Sequence, residues 1–168
     1  YKTNIKLKNE GMLSSLYFFE GSYMAMGEIN DNFLYSNNYS QLWKTKKKKK
    51  TVKIVYEKMK IKKLLLSPKE KEFPRIEYEK LQKYNDPLTS FLNIILFQKS
   101  SYTIDGRRAY LLMPKKKNNR LMVLVKEYQN IWADHKRNDL EYLEIFKQKD
   151  RYLPNKINIM FKGTIFSL

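Results

Sequence analysis

Residues 44–63, KTKKKKKTVKIVYEKMKIKK, hold eleven lysines and one glutamate. No packed interior accepts that density of one charge, so any fold of this chain must keep the block at its surface. Self-repulsion on this scale opposes a compact state, and the block therefore points to a polyanionic partner. Its first part, KTKKKKK at 44–50, has no apolar residue and is expected as an extended arm. Its second part differs. Lys53, Lys58, Lys60, Lys62 and Lys63 alternate with Val52, Ile54, Met59 and Ile61, as the polar side of an element packed on the body would. Val52, Ile54 and Tyr56 fit a strand, whereas Met59, Ile61 and Leu65 fit a helix. Residues 51–66 therefore read either as a strand running into a helix or as one helix, ended by Ser67-Pro68.

The other 148 positions decide what carries this block. A chain of 168 residues with 42% hydrophobic content can bury a core and is not a disordered polycation. The net charge of +17 is unevenly spread. Residues 1–43, rich in aromatics, hold three lysines against four acids, and 44–168 form the expected basic globular domain. A second patch, Lys115, Lys116, Lys117 and Arg120, lies near the middle of that domain, with Arg107 and Arg108 upstream. There is no Cys, so no disulfide framework and no thiolate metal site exist. Gly11 to Phe19, the longest weakly polar stretch, falls far short of the ~20 apolar residues of a membrane helix, and no transmembrane segment is expected. The sequence opens on Tyr1 rather than Met, and no signal-peptide pattern is visible in it. Lysines number 28 of the 34 basic residues and alanines only three, the bias that A/T-rich codons produce.

Residues 3–8 alternate and read as a strand. Residues 11–40 show no clear period and read as irregular or weakly β. Asp86-Pro87 is a helix start, and Leu88, Phe91, Leu92, Ile95 and Leu96 keep the 3.6-residue period through 87–98. Asp105-Gly106 predicts a tight hairpin turn with two positive-φ residues, followed by strands at 108–113 and 120–125. Asn138 or Asp139 would cap a second helix over 139–149, burying Leu140, Leu143 and Phe146. Residues 156–166 alternate again as a closing strand. The expected fold class is α+β, one compact domain of mixed helices and short antiparallel strands with basic loops or arms.

Catalytic patterns are lacking. His135 is the one histidine and has no nucleophile or orienting group nearby in sequence, so it reads as a solvated residue. The five glycines never cluster as a phosphate-cradling loop needs. Glu141 and Glu144 read as a solvated face. The chain is expected to be non-catalytic, with no cofactor and no metal. Nucleic-acid binding is better supported, because each lysine that neutralises a phosphate releases counterions. The candidate phosphate ligands are Lys44, Lys46, Lys47, Lys48, Lys49, Lys50, Lys53, Lys58, Lys60, Lys62, Lys63, Arg107, Arg108, Lys115, Lys116, Lys117 and Arg120. Trp43, Tyr56 and Tyr110 lie among them as candidates for stacking on unpaired bases, although each is by itself more commonly an ordinary core or surface aromatic. No helix-turn-helix, zinc-finger or basic-zipper pattern speaks for DNA, and no strongly amphipathic helix adjoins the block to speak for membrane. RNA is the expected partner.

Lysine-rich, cysteine-free basic chains of this kind resemble ribosomal proteins, and the codon bias suggests the organellar, mitochondrial kind. The window NDPLTSFLNIILFQKSSYTIDGRRA, residues 85–109, resembles the first-helix region of small-subunit ribosomal protein seven, with Phe91-Leu92-Asn93 and Asp105-Gly106-Arg107-Arg108-Ala109 as the matching steps. That family implies an all-helical body and contacts from the basic pair to small-subunit ribosomal RNA. The class resemblance implies a structural constituent of a mitochondrial ribosome in the matrix, with ribosomal RNA and neighbouring ribosomal proteins as partners. Member and subunit stay open. The alternative is a non-catalytic accessory subunit of a mitochondrial respiratory-chain complex, suggested by the near-neutral, aromatic-rich residues 11–43.

Overall fold

The computed structural model describes residues 1–9, 18–117, 120–133, 139–147 and 153–168. Among them the chain is mostly β, which corrects the expected α+β class. Five strands form a first antiparallel sheet in sequence order: β1 (Lys2–Lys8), β2 (Phe19–Asn30), β3 (Phe33–Thr45), β4 (Lys49–Glu57) and β5 (Lys60–Ser67). After a short 3-10 turn and one helix, α1 (Pro87–Phe97), six more strands form a second antiparallel sheet. These are β6 (Ser101–Ile104), β7 (Arg108–Lys117), β8 (Arg120–Asn130), β9 (Leu140–Phe146), β10 (Lys156–Phe161) and β11 (Thr164–Ser167).

Polar turns explain why the first sheet was hard to read. β2 and β3 meet at Asp31-Asn32, with φ of 49° and 55°, a left-handed geometry that Asn and Asp tolerate better than other non-glycine residues. The irregular stretch expected over 11–40 is therefore largely two long paired strands, and 10–17 lie outside the described residues. Likewise 51–66 is neither a helix nor a strand running into one. It is the β4–β5 hairpin, turned at Lys58-Met59 with φ of 49° and 62°.

The second expected helix, 139–149, is strand β9 where it is described. Leu140, Leu143 and Phe146 suggest a three-residue spacing, but pairing with β8 and β10 imposes the two-residue period. Ile145 is then fully buried, and Leu143 packs on the same core. Tertiary pairing overrides local pattern here. Asp139 caps no helix; its carbonyl accepts from Lys162 N–H. Residues 156–166 form the β10–β11 hairpin around Gly163.

The helix forms where the sequence places it. Asp86 is the N-cap, and its carboxylate accepts from the Leu88 and Thr89 backbone N–H groups. Ile94 and Ile95 pack on Tyr110, Leu112, Val123 and Ile145 of the second sheet. The other side of the helix is polar and meets the end of β3 beyond Asn38, where pairing with β4 stops. The free edge there is satisfied by side chains. Asn93 exchanges two hydrogen bonds with the Leu34 backbone, at 2.7 and 2.9 Å, and Asn85 accepts from Ser36 N–H at 2.9 Å. A larger core joins the two sheets, with Ala25, Tyr39, Val52, Ile54 and Ile61 facing Ile104 and Ala109.

Candidate functional site

The lysine run is the closed end of the β3–β4 hairpin. Lys44 pairs with Lys49 and Trp43 with Lys50 in the antiparallel ladder. Thr45 N–H donates to the Lys48 carbonyl at 2.8 Å, and the Thr45 hydroxyl accepts from Lys48 N–H at 3.0 Å. The expected extended arm is thus a hairpin tip fixed by Thr45, and the division expected between 43 and 44 falls inside β3.

Alternation then sorts the lysines onto one surface. The strand registers place Lys2, Lys6 and Lys8 of β1, Lys44 of β3, Lys49 and Lys53 of β4 and Lys63 of β5 on the outer face of the first sheet, all exposed. Glu20, Glu28 and Glu57 are the acids that these registers put on the same face. The β1 lysines were absent from the expected phosphate ligands, although the alternation of 2–8 signals that Lys2, Lys6 and Lys8 share a face. Lys58 sits in the β4–β5 turn and Lys60 opens β5. Lys62 is paired with Glu57 at 2.9 Å.

A close approach of backbone brings Arg107 and Arg108 to the inner face of the first sheet, on the side opposite the lysine face. The β6–β7 turn packs on the first sheet at Gly106, where a Cβ would lie 2.6 Å from Val52 Cγ1 and 3.1 Å from Leu66. Gly106 has φ of 91°, so it is favoured by both space and conformation. Asp105 departs from the expected turn: Gly106 alone of the pair has positive φ, and Asp105 Oδ1 accepts from the Arg107 and Arg108 backbone N–H groups.

A cleft of about 470 Å³ opens at this junction. Trp43, Gln41 and Lys50 line it from the first sheet, Arg107 and Arg108 from the turn, and Phe161 and Phe166 from β10 and β11. Lys50 Nζ stands 5.8 Å from the Trp43 ring centroid. Partial burial, then the neighbouring Arg107 and Lys48 charges, pull the Lys50 ammonium below its ordinary pKa. Arg107 Nε donates to Glu70 at 2.5 Å. Arg108 meets Asp105 at 3.5 Å and Asp139 at 3.7 Å, and its buried Nε has no hydrogen-bond partner.

The other expected ligands divide. Lys115, Lys116 and Lys117 stand at the far end of β7, seven or more residues beyond Arg108, about 23 Å or more at the usual strand rise. They form a separate patch, in which Arg120 is held by Glu144 at 2.9 Å. Tyr56 and Tyr110 are 6% and 7% exposed and offer no face to a base, which removes two of the three expected stacking residues. Each points inward from its strand, Tyr56 into the core between the sheets and Tyr110 against the helix. Trp43 remains. Phe161 and Phe166 were not anticipated, because only the folding of β10–β11 toward the first sheet makes them neighbours of Trp43. His135 lies outside the described residues. Among the described residues no cluster of three His, Cys, Asp or Glu side chains suits a metal, and no helix is long and apolar enough to cross a membrane. No family model matches the chain, and no curated protein and no solved structure matches it.

Proposed function

We propose that this chain is a non-catalytic RNA-binding structural subunit of a mitochondrial ribosome. The observation that carries the RNA-binding part is the outer face of the first sheet, where seven exposed lysines outnumber three acids, Glu20, Glu28 and Glu57. Adjacent strands lie about 4.8 Å apart and same-face residues about 6.7 Å apart, so the face is a grid of cations on the scale of a phosphate backbone. The hairpin tip continues the grid with Lys46, Lys47 and Lys48, all exposed. A surface that meets phosphates without reading base edges suits folded RNA, which is recognised largely by shape and backbone. The mitochondrial part rests on composition: lysine over arginine, three alanines and no cysteine.

Sedimentation of a mitochondrial lysate through a gradient tests this reading. The protein is expected to travel with ribosomal particles and to leave those fractions after RNase treatment. Migration with RNase-resistant membrane complexes would overturn it and favour the respiratory-chain alternative.

A further inference from the structure

We infer that the cleft at the hairpin base binds a single nucleotide, with its base against Trp43 and its phosphate on Lys50 and the Arg107–Arg108 pair. On the RNA-binding reading above, this nucleotide is an unpaired residue of the bound strand. The volume, about 470 Å³, falls within the few hundred to 1,000 Å³ typical of small-ligand sites. Its walls divide by chemistry. Trp43, Phe161 and Phe166 supply aromatic surface, and stacking on aromatic rings is how unpaired bases are held without sequence readout. Cations stand beside that surface.

The charges at the cleft favour an anion. Asp105, the acid lining it, is already occupied: Oδ1 accepts two backbone N–H groups and Oδ2 faces Arg108. Arg107 is tied to Glu70 and to the Pro68 carbonyl. Lys50 differs, since no carboxylate among the described residues pairs with it. Its ammonium stands 5.8 Å from the Trp43 ring centroid, and a base stacking on that ring moves the ammonium aside toward the attached phosphate. Arg108 adds a buried Nε–H with no acceptor. Gln41 completes the site. Its Oε1 accepts from the Tyr39 hydroxyl at 3.2 Å, which leaves the amide N–H groups to donate to acceptors on a base edge. A duplex cannot place a base here without unpairing it, so the cleft selects unpaired nucleotides while the lysine face accepts either form.

Tryptophan fluorescence of the full chain, titrated with a single-stranded RNA hexamer, a duplex of equal length and a nucleoside monophosphate, tests this. The hexamer is expected to quench saturably, and the quench to vanish in Trp43→Phe. Trp43→Ala should weaken hexamer binding about tenfold, as removal of one stacking platform does, while changing duplex affinity less than twofold. Lys50→Gln, at an exposed position, gives the same selective loss should the alanine variant fail to fold. A hexamer bound at least tenfold tighter than the monophosphate identifies the strand as source, and equal affinities identify a free nucleotide. Both results support the site. Salt-dependent binding of hexamer and duplex with no quench by any probe overturns the nucleotide site and leaves the RNA-binding reading standing. Quenching by the monophosphate without binding of either RNA keeps the site and overturns that reading.

Discussion

Replacing Asp86 with Ala is expected to lower the unfolding free energy by about 3–5 kcal/mol, the sum of a missing N-cap and stranded buried donors. Asp86 is fully buried, and its two oxygens serve four donors. Oδ1 accepts from Leu88 and Thr89 N–H, and Oδ2 from the Ser36 and Thr89 hydroxyls, each at 2.6 Å. Burial pushes the carboxyl pKa up, while the Ser36 and Thr89 hydrogen bonds pull it back. The residue thus fastens α1 to β3 as well as starting the helix. An alanine would leave two helix N–H groups without their acceptor in a dry interior, and would reduce the Ser36 and Thr89 hydroxyls to Asn85 and Tyr1 as side-chain partners. Asp86→Asn, which keeps an acceptor oxygen for the backbone, should cost less than the alanine. Urea denaturation of the three proteins measures this. A loss below about 1 kcal/mol for the alanine variant, the range of ordinary surface changes, would contradict the linking role.

Substituting Ser for Lys46, Lys47, Lys48 and Lys49 together is expected to leave stability within about 0.5 kcal/mol, as exposed substitutions usually do. Thr45 and the Lys48 backbone close the turn. RNA affinity should fall roughly 10- to 100-fold at moderate salt, and the log–log salt slope should shrink by about one for each phosphate that is no longer neutralised. Binding measured across a salt series, beside a melting curve of the same variant, separates the two effects. An unchanged slope would make the tip lysines a product of coding bias rather than of binding.

How legible the molecule was in its sequence varied with the kind of signal. The helix at 87–97 was readable because its cap, its proline and its apolar period all agree. β1 was readable because alternation is strict over seven residues. The β2–β3 hairpin was not, since its turn uses Asp31-Asn32 with no glycine and its strands carry Ser and Asn on the solvent side. β9 was misread because a short segment with leucines three apart fits two periods, and neighbouring strands decide between them. The candidate site shows the same division. Lysine density exposed the hairpin tip at once. Grouping Lys2, Lys6 and Lys8 with Lys44 and Lys63 needed strand pairing, and placing Phe161 beside Trp43 needed the whole fold. Tyr56 and Tyr110 were misassigned because a tyrosine in an alternating strand looks alike whether its face is buried or wet.

The fold and the site converge on one claim, that the first sheet presents an ordered cation grid to a phosphate backbone. The direct test is RNA affinity of the intact chain from about 50 to 300 mM salt. A straight line in log–log form with a slope steeper than about −4 is expected, corresponding to at least five or six neutralised phosphates at 0.7–0.9 each. A slope near zero would mean that the lysine face does not meet RNA, and would contradict the account.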